Sequence, residues 1–143
     1  MPERWPVFRK GDKENGVFAI QSLLRAHGHQ VEVDGDFGPK TESAVRAFQQ
    51  ARGLQVDGVV GNRTWEALVI QVRGGSRGEA VRGVQRQLNL WRPLFGDPGS
   101  PELEVDGDFG PKTESAVRAV QRWAGIDVDG IVGPETWHQL ISF

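Results

Sequence analysis

The chain has 143 residues, 38% of them hydrophobic and 25% charged, with five Trp, seven Phe and no Cys. That is apolar enough for a core and long enough for one domain or two small ones, and it excludes disulfides, thiolate metal sites and a cysteine nucleophile. The net charge of −2 is evenly spread, with nine basic and nine acidic residues in 1–72 and eight and ten in 73–143, so neither half offers the clustered cations that nucleic acid or an anionic membrane requires.

The N-terminal stretch MPERWPVFRKGDK lacks an apolar run of signal-peptide length, and nothing approaches the roughly 20 apolar residues of a membrane span. A first helix is predicted from Val17, Ile20, Leu24 and His27, which share one face, with Asp12 placed to cap it. VDGDFGPKTESAVRA follows at 33–47. Its Asp34 is suited to an Asx turn and Gly35 to positive φ, while Gly38 can serve as N-cap with Pro39 at the first helical position. Ala44, Ala47, Phe48 and Ala51 recur at helical spacing until Gly53, where a left-handed end is wanted. The pattern V-D-G-x-[FV]-G-x-x-T returns at Val56–Thr64 and launches a short helix bearing Trp65 and Leu68. Strand is expected only as short extended pieces such as Val31–Val33.

The same fifteen letters recur at 105–119, and the nine-residue turn pattern returns once more at Val128–Thr136. At an offset of 72, Gln49, Gly53, Trp65 and Leu68 match Gln121, Gly125, Trp137 and Leu140; upstream, Val17, Ile20, Gln21 and Leu24 match Val81, Val84, Gln85 and Leu88 at an offset of 64. The chain is a tandem duplication. The second copy holds eight extra residues within WRPLFGDPGSPELE, whose Pro and Gly predict a loop. Ser76-Arg77-Gly78-Glu79 reads as a capping box for a helix carrying Val81, Val84, Leu88 and Trp91. The expected fold is all-α: two three-helix bundles, residues 1–72 and 73–143, held close by the short connection Gln71–Ser76.

These spaced positions, V-x-x-[IV]-Q-x-x-L, then D-G-x-F-G-x-x-T-x-x-A-V-x-x-[FV]-Q, then D-G-x-V-G-x-x-T-W-x-x-L, resemble the type 1 peptidoglycan-binding domain over about 16–69 and again over 80–141. The resemblance implies non-catalytic binding of bacterial peptidoglycan, by glycan strand or peptide stem, in the cell envelope or outside the cell. Two modules on one chain can raise avidity by roughly 10²–10⁴ over either alone. Modules of this kind usually accompany cell-wall hydrolases, transpeptidases or carboxypeptidases, and none accompanies them here, so a cell-wall enzyme on a separate chain is an expected partner. Two other readings compete. One is a cell-wall hydrolase component; the other, suggested by the missing signal pattern, is a cytoplasmic interaction module.

Catalytic residues, metal and cofactors are not expected. Asp34-Gly35-Asp36 resembles the start of a calcium loop, but Gly38 and Val45 stand where its fifth and twelfth ligands belong. His27 and His29 lack a third zinc ligand, and Asp36 and Glu42 could pair across a glycosidic bond but equally suit a helix's first turn. Trp65 and Trp137 are expected in the core. Trp91, Phe95 and Trp123 have no aromatic counterpart in the first copy or lie in the insertion, which makes them candidates for sugar stacking. Arg46, Gln49, Arg118 and Gln121 follow the repeat and are the candidate polar contacts.

Overall fold

A computed structural model describes residues 4–97, 99 and 101–143. Residues 1–3 of the stretch read for a signal peptide, and Pro98 and Ser100 of the insertion, lie outside the described residues. The chain is all-α, as two successive three-helix sets: α1 (Gly16–Ala26), α2 (Pro39–Ala51) and α3 (Asn62–Leu68), then α4 (Glu79–Phe95), α5 (Pro111–Ala124) and α6 (Pro134–Ile141). The described residues contain no strand; extended segments meet only in isolated antiparallel bridges, Phe8 with Val60, Val72 with Val132 and Arg77 with Asp108.

Local chemistry explains where the helices start. Gly38, Gly61, Gly110 and Gly133 are the N-caps of α2, α3, α5 and α6, and proline opens three of these four. The two upstream helices begin differently from expectation. Ser76 Oγ accepts the Arg73 N–H at 3.0 Å and Asp12 Oδ2 accepts that of Arg9 at 2.9 Å, so both equivalent residues close the turn behind them. Neither caps α1 or α4, whose N-caps are Asn15 and Gly78 without a side-chain bond. The insertion also departs from a pure loop, because α4 runs through Pro93 to Phe95. Proline falls in the last turn, where the main cost is one lost backbone bond, and Trp91, only 2% exposed, anchors that turn in the core.

Each copy is closed by its own N-terminal flank. Trp65 Nε1 donates to the Pro6 carbonyl and Trp137 Nε1 to that of Ile70, both at 2.8 Å. Both indoles are fully buried, and at 150–250 Å² of ring and roughly 25 cal/mol per Å² each contributes about 4–6 kcal/mol of burial. Residues 70–72 thus pair with the second copy, just as 6–8 pair with the first.

The copies share one hydrophobic core. The largest helix–helix contact is α1 along α4, and its residues explain the close approach. A Cβ on Gly83 would lie 2.9 Å from the Ser22 Cβ, and Ala19, Leu23 and Ala80 are buried with them. Arg86 donates to Ser22 Oγ at 3.0 Å, and Arg25 pairs with Glu79 at 3.2 Å. At the other end, Trp5 stacks on Trp65 and meets the His138 ring edge-on, centroids 5.2 Å apart.

Candidate functional site

The four D-G turns share one scaffold, each held by a buried glutamine. Gln49 Oε1 accepts the N–H groups of Asp57 and Gly58, while its amide donates to Asp57 Oδ1, the Val59 carbonyl and Thr64 Oγ1, all within 3.0–3.2 Å. Gln21 does the same for the turn at Asp34, and Gln85 and Gln121 hold the turns at Asp106 and Asp129 through the same three amide bonds and the glycine N–H. In each turn the aspartate Oδ1 also accepts the N–H two residues on, at 2.9–3.0 Å, which is the Asx turn expected. Gly35 has φ +77°, and any Cβ there would strike the Phe18 ring at 2.4 Å, so glycine is required on both counts.

Gln49 and Gln121 are therefore corrected as ligand contacts. Each is 1% exposed and spent on its turn. The arginines lie nearer the surface but also serve the second turn of each copy. Arg46 donates to the Val56 carbonyl at 3.3 Å, and Arg118 donates to that of Val128 at 3.1 Å while pairing with Glu114 at 3.2 Å. Trp91 is corrected too: at 2% exposure it has almost no surface on which a sugar could stack.

Trp123 and Phe95 are different, being 47% and 44% exposed. Their centroids lie 5.0 Å apart; Trp91 backs Trp123 edge-on at 5.7 Å, and Phe143 meets Phe95 at 5.8 Å. They form an apolar face at the C-terminal ends of α4 and α5, and Leu94, 63% exposed, is a further exposed apolar residue at the end of α4. Sequence reasoning missed Leu94 and Phe143; the signal for Phe143 was an aromatic where Gln71 stands in the first copy.

Along α5, Lys112, Ser115, Ala116, Ala119 and Trp123 recur at three and four, so one stripe runs from the helix's first turn to the aromatic face. It borders a cleft of about 330 Å³ that Trp91 and Leu103 also line. The first copy repeats the arrangement at Lys40, Ser43 and Ala44, in an open cleft of about 450 Å³ with His29, Gln30 and Pro39. There Ala51 replaces Trp123 and the aromatic face is absent. These lysines and serines escaped the sequence reading, although they lie within the identical fifteen residues.

His27 occupies the place of Trp91. Its Nδ1 accepts from Arg52 at 3.0 Å, which leaves the Nε2 hydrogen for the Leu68 carbonyl at 2.9 Å. Both nitrogens are engaged, so the His27-His29 pair presents no free chelating ring from His27. Burial, and secondarily the Arg52 charge, push its pKa below the usual histidine value, against the opposing Leu68 bond. Asp34, Asp106 and Asp129 are held below the ordinary carboxylate value chiefly by their backbone N–H bonds. The signs agree: for all four groups the unfolded chain binds protons first, so stability falls as pH drops. Acid melting should show a first loss on the acid side of about 6.5, from His27, and a second below about 3.8, from the aspartates. His27→Gln, which keeps a donor for Leu68, should remove the first; an unchanged difference in Tm between neutral and mildly acid buffer would refute the assignment.

A family model described as "Putative peptidoglycan binding domain" matches residues 13–68 and again 77–140. The chain is 37% identical, over 94% of its length, to N-acetylmuramoyl-L-alanine amidase CwlM of Mycobacterium tuberculosis, covering 37% of that protein. It is 29% identical, over 94%, to N-acetylmuramoyl-L-alanine amidase CwlL of Bacillus licheniformis, covering 45% of it. It is 33% identical, over 73%, to the zinc D-Ala-D-Ala carboxypeptidase of Streptomyces albus G, covering 38% of it. The chain thus spans less than half the length of these curated relatives.

Proposed function

The chain belongs to the peptidoglycan binding domain family, in two tandem copies, and from that premise we propose that it grips bacterial cell-wall peptidoglycan through both copies without cleaving it. The observation that carries the second half is where the polar chemistry of the repeats is spent. The turn glutamines and aspartates are locked into the scaffold by the bonds that shape each turn. What is left for contact is surface. In the second copy that includes Trp123 and Phe95, whose exposed, tilted rings suit the apolar face of a pyranose. With Arg46 and Arg118 at the rim of the second turns, these residues are the contacts we assign.

On this reading the chain works in the cell envelope or outside the cell, beside a cell-wall enzyme, and two weak contacts on one polymer give the avidity. A hydrolase component is the second reading, favoured by relatives that are named amidases and are more than twice the length of the part matched. One assay separates them. The purified chain should co-sediment with sacculi and release no soluble fragments. Trp123→Ala should weaken sedimentation by about 0.5–1.5 kcal/mol, roughly 2- to 12-fold. Fragment release that is lost in an Asp36→Ala or Glu42→Ala variant would overturn the non-catalytic reading, and unchanged binding by Trp123→Ala would overturn the stacking assignment.

A further inference from the structure

The identical fifteen residues carry more than the fold requires. Their polar side chains are Asp34, Asp36, Lys40, Thr41, Glu42, Ser43 and Arg46, with counterparts 72 residues on. Asp34 and Thr41 serve the glutamine turn in both copies, Arg46 and Arg118 bond the next turn, and Glu114 and Asp108 form ion pairs in the second copy. Among the described residues, the lysine and the serine are the members without a hydrogen-bond or ion-pair partner in both copies. All four are exposed.

The short helices supply an internal control. α3 and α6 keep their scaffold, Gly61, Thr64, Trp65 and Leu68 matching Gly133, Thr136, Trp137 and Leu140. An outward position without a scaffold role has diverged: exposed Arg63 stands where the second copy has exposed Glu135, a reversal of charge. Lys40 and Ser43 have not diverged from Lys112 and Ser115, and each pair lines a cleft in its own copy. Repeat-equivalent clefts therefore share a charged residue and a hydroxyl that the fold does not use.

We propose that these clefts are twin subsites for a carboxylate carried next to a methyl group, an inference that rests on the peptidoglycan reading. Lysine and serine three residues apart on a helix lie side by side. The ammonium supplies a charge-assisted bond without requiring a fork, and the hydroxyl donates a second. Ala44 and Ala116, one residue beyond each serine, put a methyl wall beside that anion position. Peptidoglycan presents this chemistry in two places, as the C-terminal alanine of a peptide stem and, on glycan from which the stem has been removed, as the freed lactyl carboxylate of N-acetylmuramic acid. The two subsites differ in their surroundings: Lys40 also borders an adjoining cleft lined by Glu32, Asp34 and Asp36, while the second subsite's own lining includes Asp97 and Glu102 along with Arg92. The second copy adds its aromatic face.

The test is an amide-resolved NMR titration of the full chain with two probes, N-acetyl-D-alanyl-D-alanine and N-acetylmuramic acid, against the dipeptide's carboxamide and N-acetylglucosamine. The carboxylates should shift residues 40–44 and 112–116, the controls neither, and whichever acid binds more tightly identifies the source. Lys40→Gln should weaken the first site about tenfold, with the spectrum otherwise unchanged, and Lys40→Arg should retain binding. Equal shifts from the carboxamide, shifts confined to other residues, or full binding by Lys40→Gln would overturn the proposal. Sacculus co-sedimentation reads the underlying function separately. A chain that sediments while both probes ignore the clefts refutes the subsites alone; a chain that does not sediment refutes the peptidoglycan reading, whatever the probes do.

Discussion

Divided between residues 72 and 73, the chain is expected to yield two fragments that do not melt cooperatively, while the intact protein unfolds in one transition. The cut leaves Ile70 and Val72 on the wrong piece, so Trp137 loses its carbonyl acceptor and Val132 its antiparallel partner. Both pieces lose the α1–α4 contact, which exposes Ala19, Leu23, Ala80 and Gly83 and strips Ser22 and Arg25 of Arg86 and Glu79. At roughly 1.5–3 kcal/mol for Leu23, about 0.8 for each alanine methyl and about 1 for each lost hydrogen bond, the loss per fragment is on the order of 3 kcal/mol, a large part of the whole stability of a small domain. Units of this size are marginal even when intact. Moving the cut to 68/69 should restore the Ile70 and Val72 pairings and improve the second fragment without rescuing the helix interface. Thermal melts by circular dichroism decide the matter: two halves that melt cooperatively within a few degrees of the parent would show that the copies are independent after all.

The second large effect is expected from the buried glutamines. Gln49→Ala removes the partner of two backbone N–H groups, a carbonyl and a threonine hydroxyl in a turn from which water is largely excluded. With 1–3 kcal/mol for each buried polar group left unsatisfied, partly relieved by entering water, a net loss of about 3 kcal/mol follows. In a chain of this size that corresponds to a fall in Tm of roughly 10 °C. Gln49→Glu discriminates between lost volume and lost hydrogen bonding. It has nearly the same shape, yet it replaces the amide donor with a carboxylate facing Asp57 Oδ1, 3.0 Å from the original nitrogen, so it should be at least as destabilising as alanine. Gln121 should behave alike. Arg46→Ala, which removes one surface bond of 3.3 Å, serves as the control and should change stability by less than about 0.5 kcal/mol. Glutamate tolerated at either position would refute the proposed role of the amide.

What the sequence could determine here is local and periodic. Asp34, Gly35, Gly38 and Pro39 specify a turn and a helix start through their own backbone preferences, and repetition of that pattern four times located α2, α3, α5 and α6 without any neighbour being known. Trp65 and Trp137 were legible as core because the spacing from tryptophan to leucine places both on one face of a short helix. The glutamines were visible as repeats but not as scaffold, since a long polar side chain reads as surface until the turn it satisfies is folded around it. Trp91 and Trp123 show the same limit from the other side. Both are unmatched aromatics, and only the packing of α4 against α5 buries the first and leaves the second on the surface. The union of the two copies was likewise a tertiary decision. The signal was present in α1, where Gly16, Ala19, Ser22 and Leu23 make a second buried face beside Val17, Ile20 and Leu24, but small residues name no partner. Which helix covers such a face depends on closest approach between backbones, and that is set by the whole chain: Gly83 and Ser22 meet in a structure where the flanks at Pro6 and Ile70 each close a bundle on its own tryptophan.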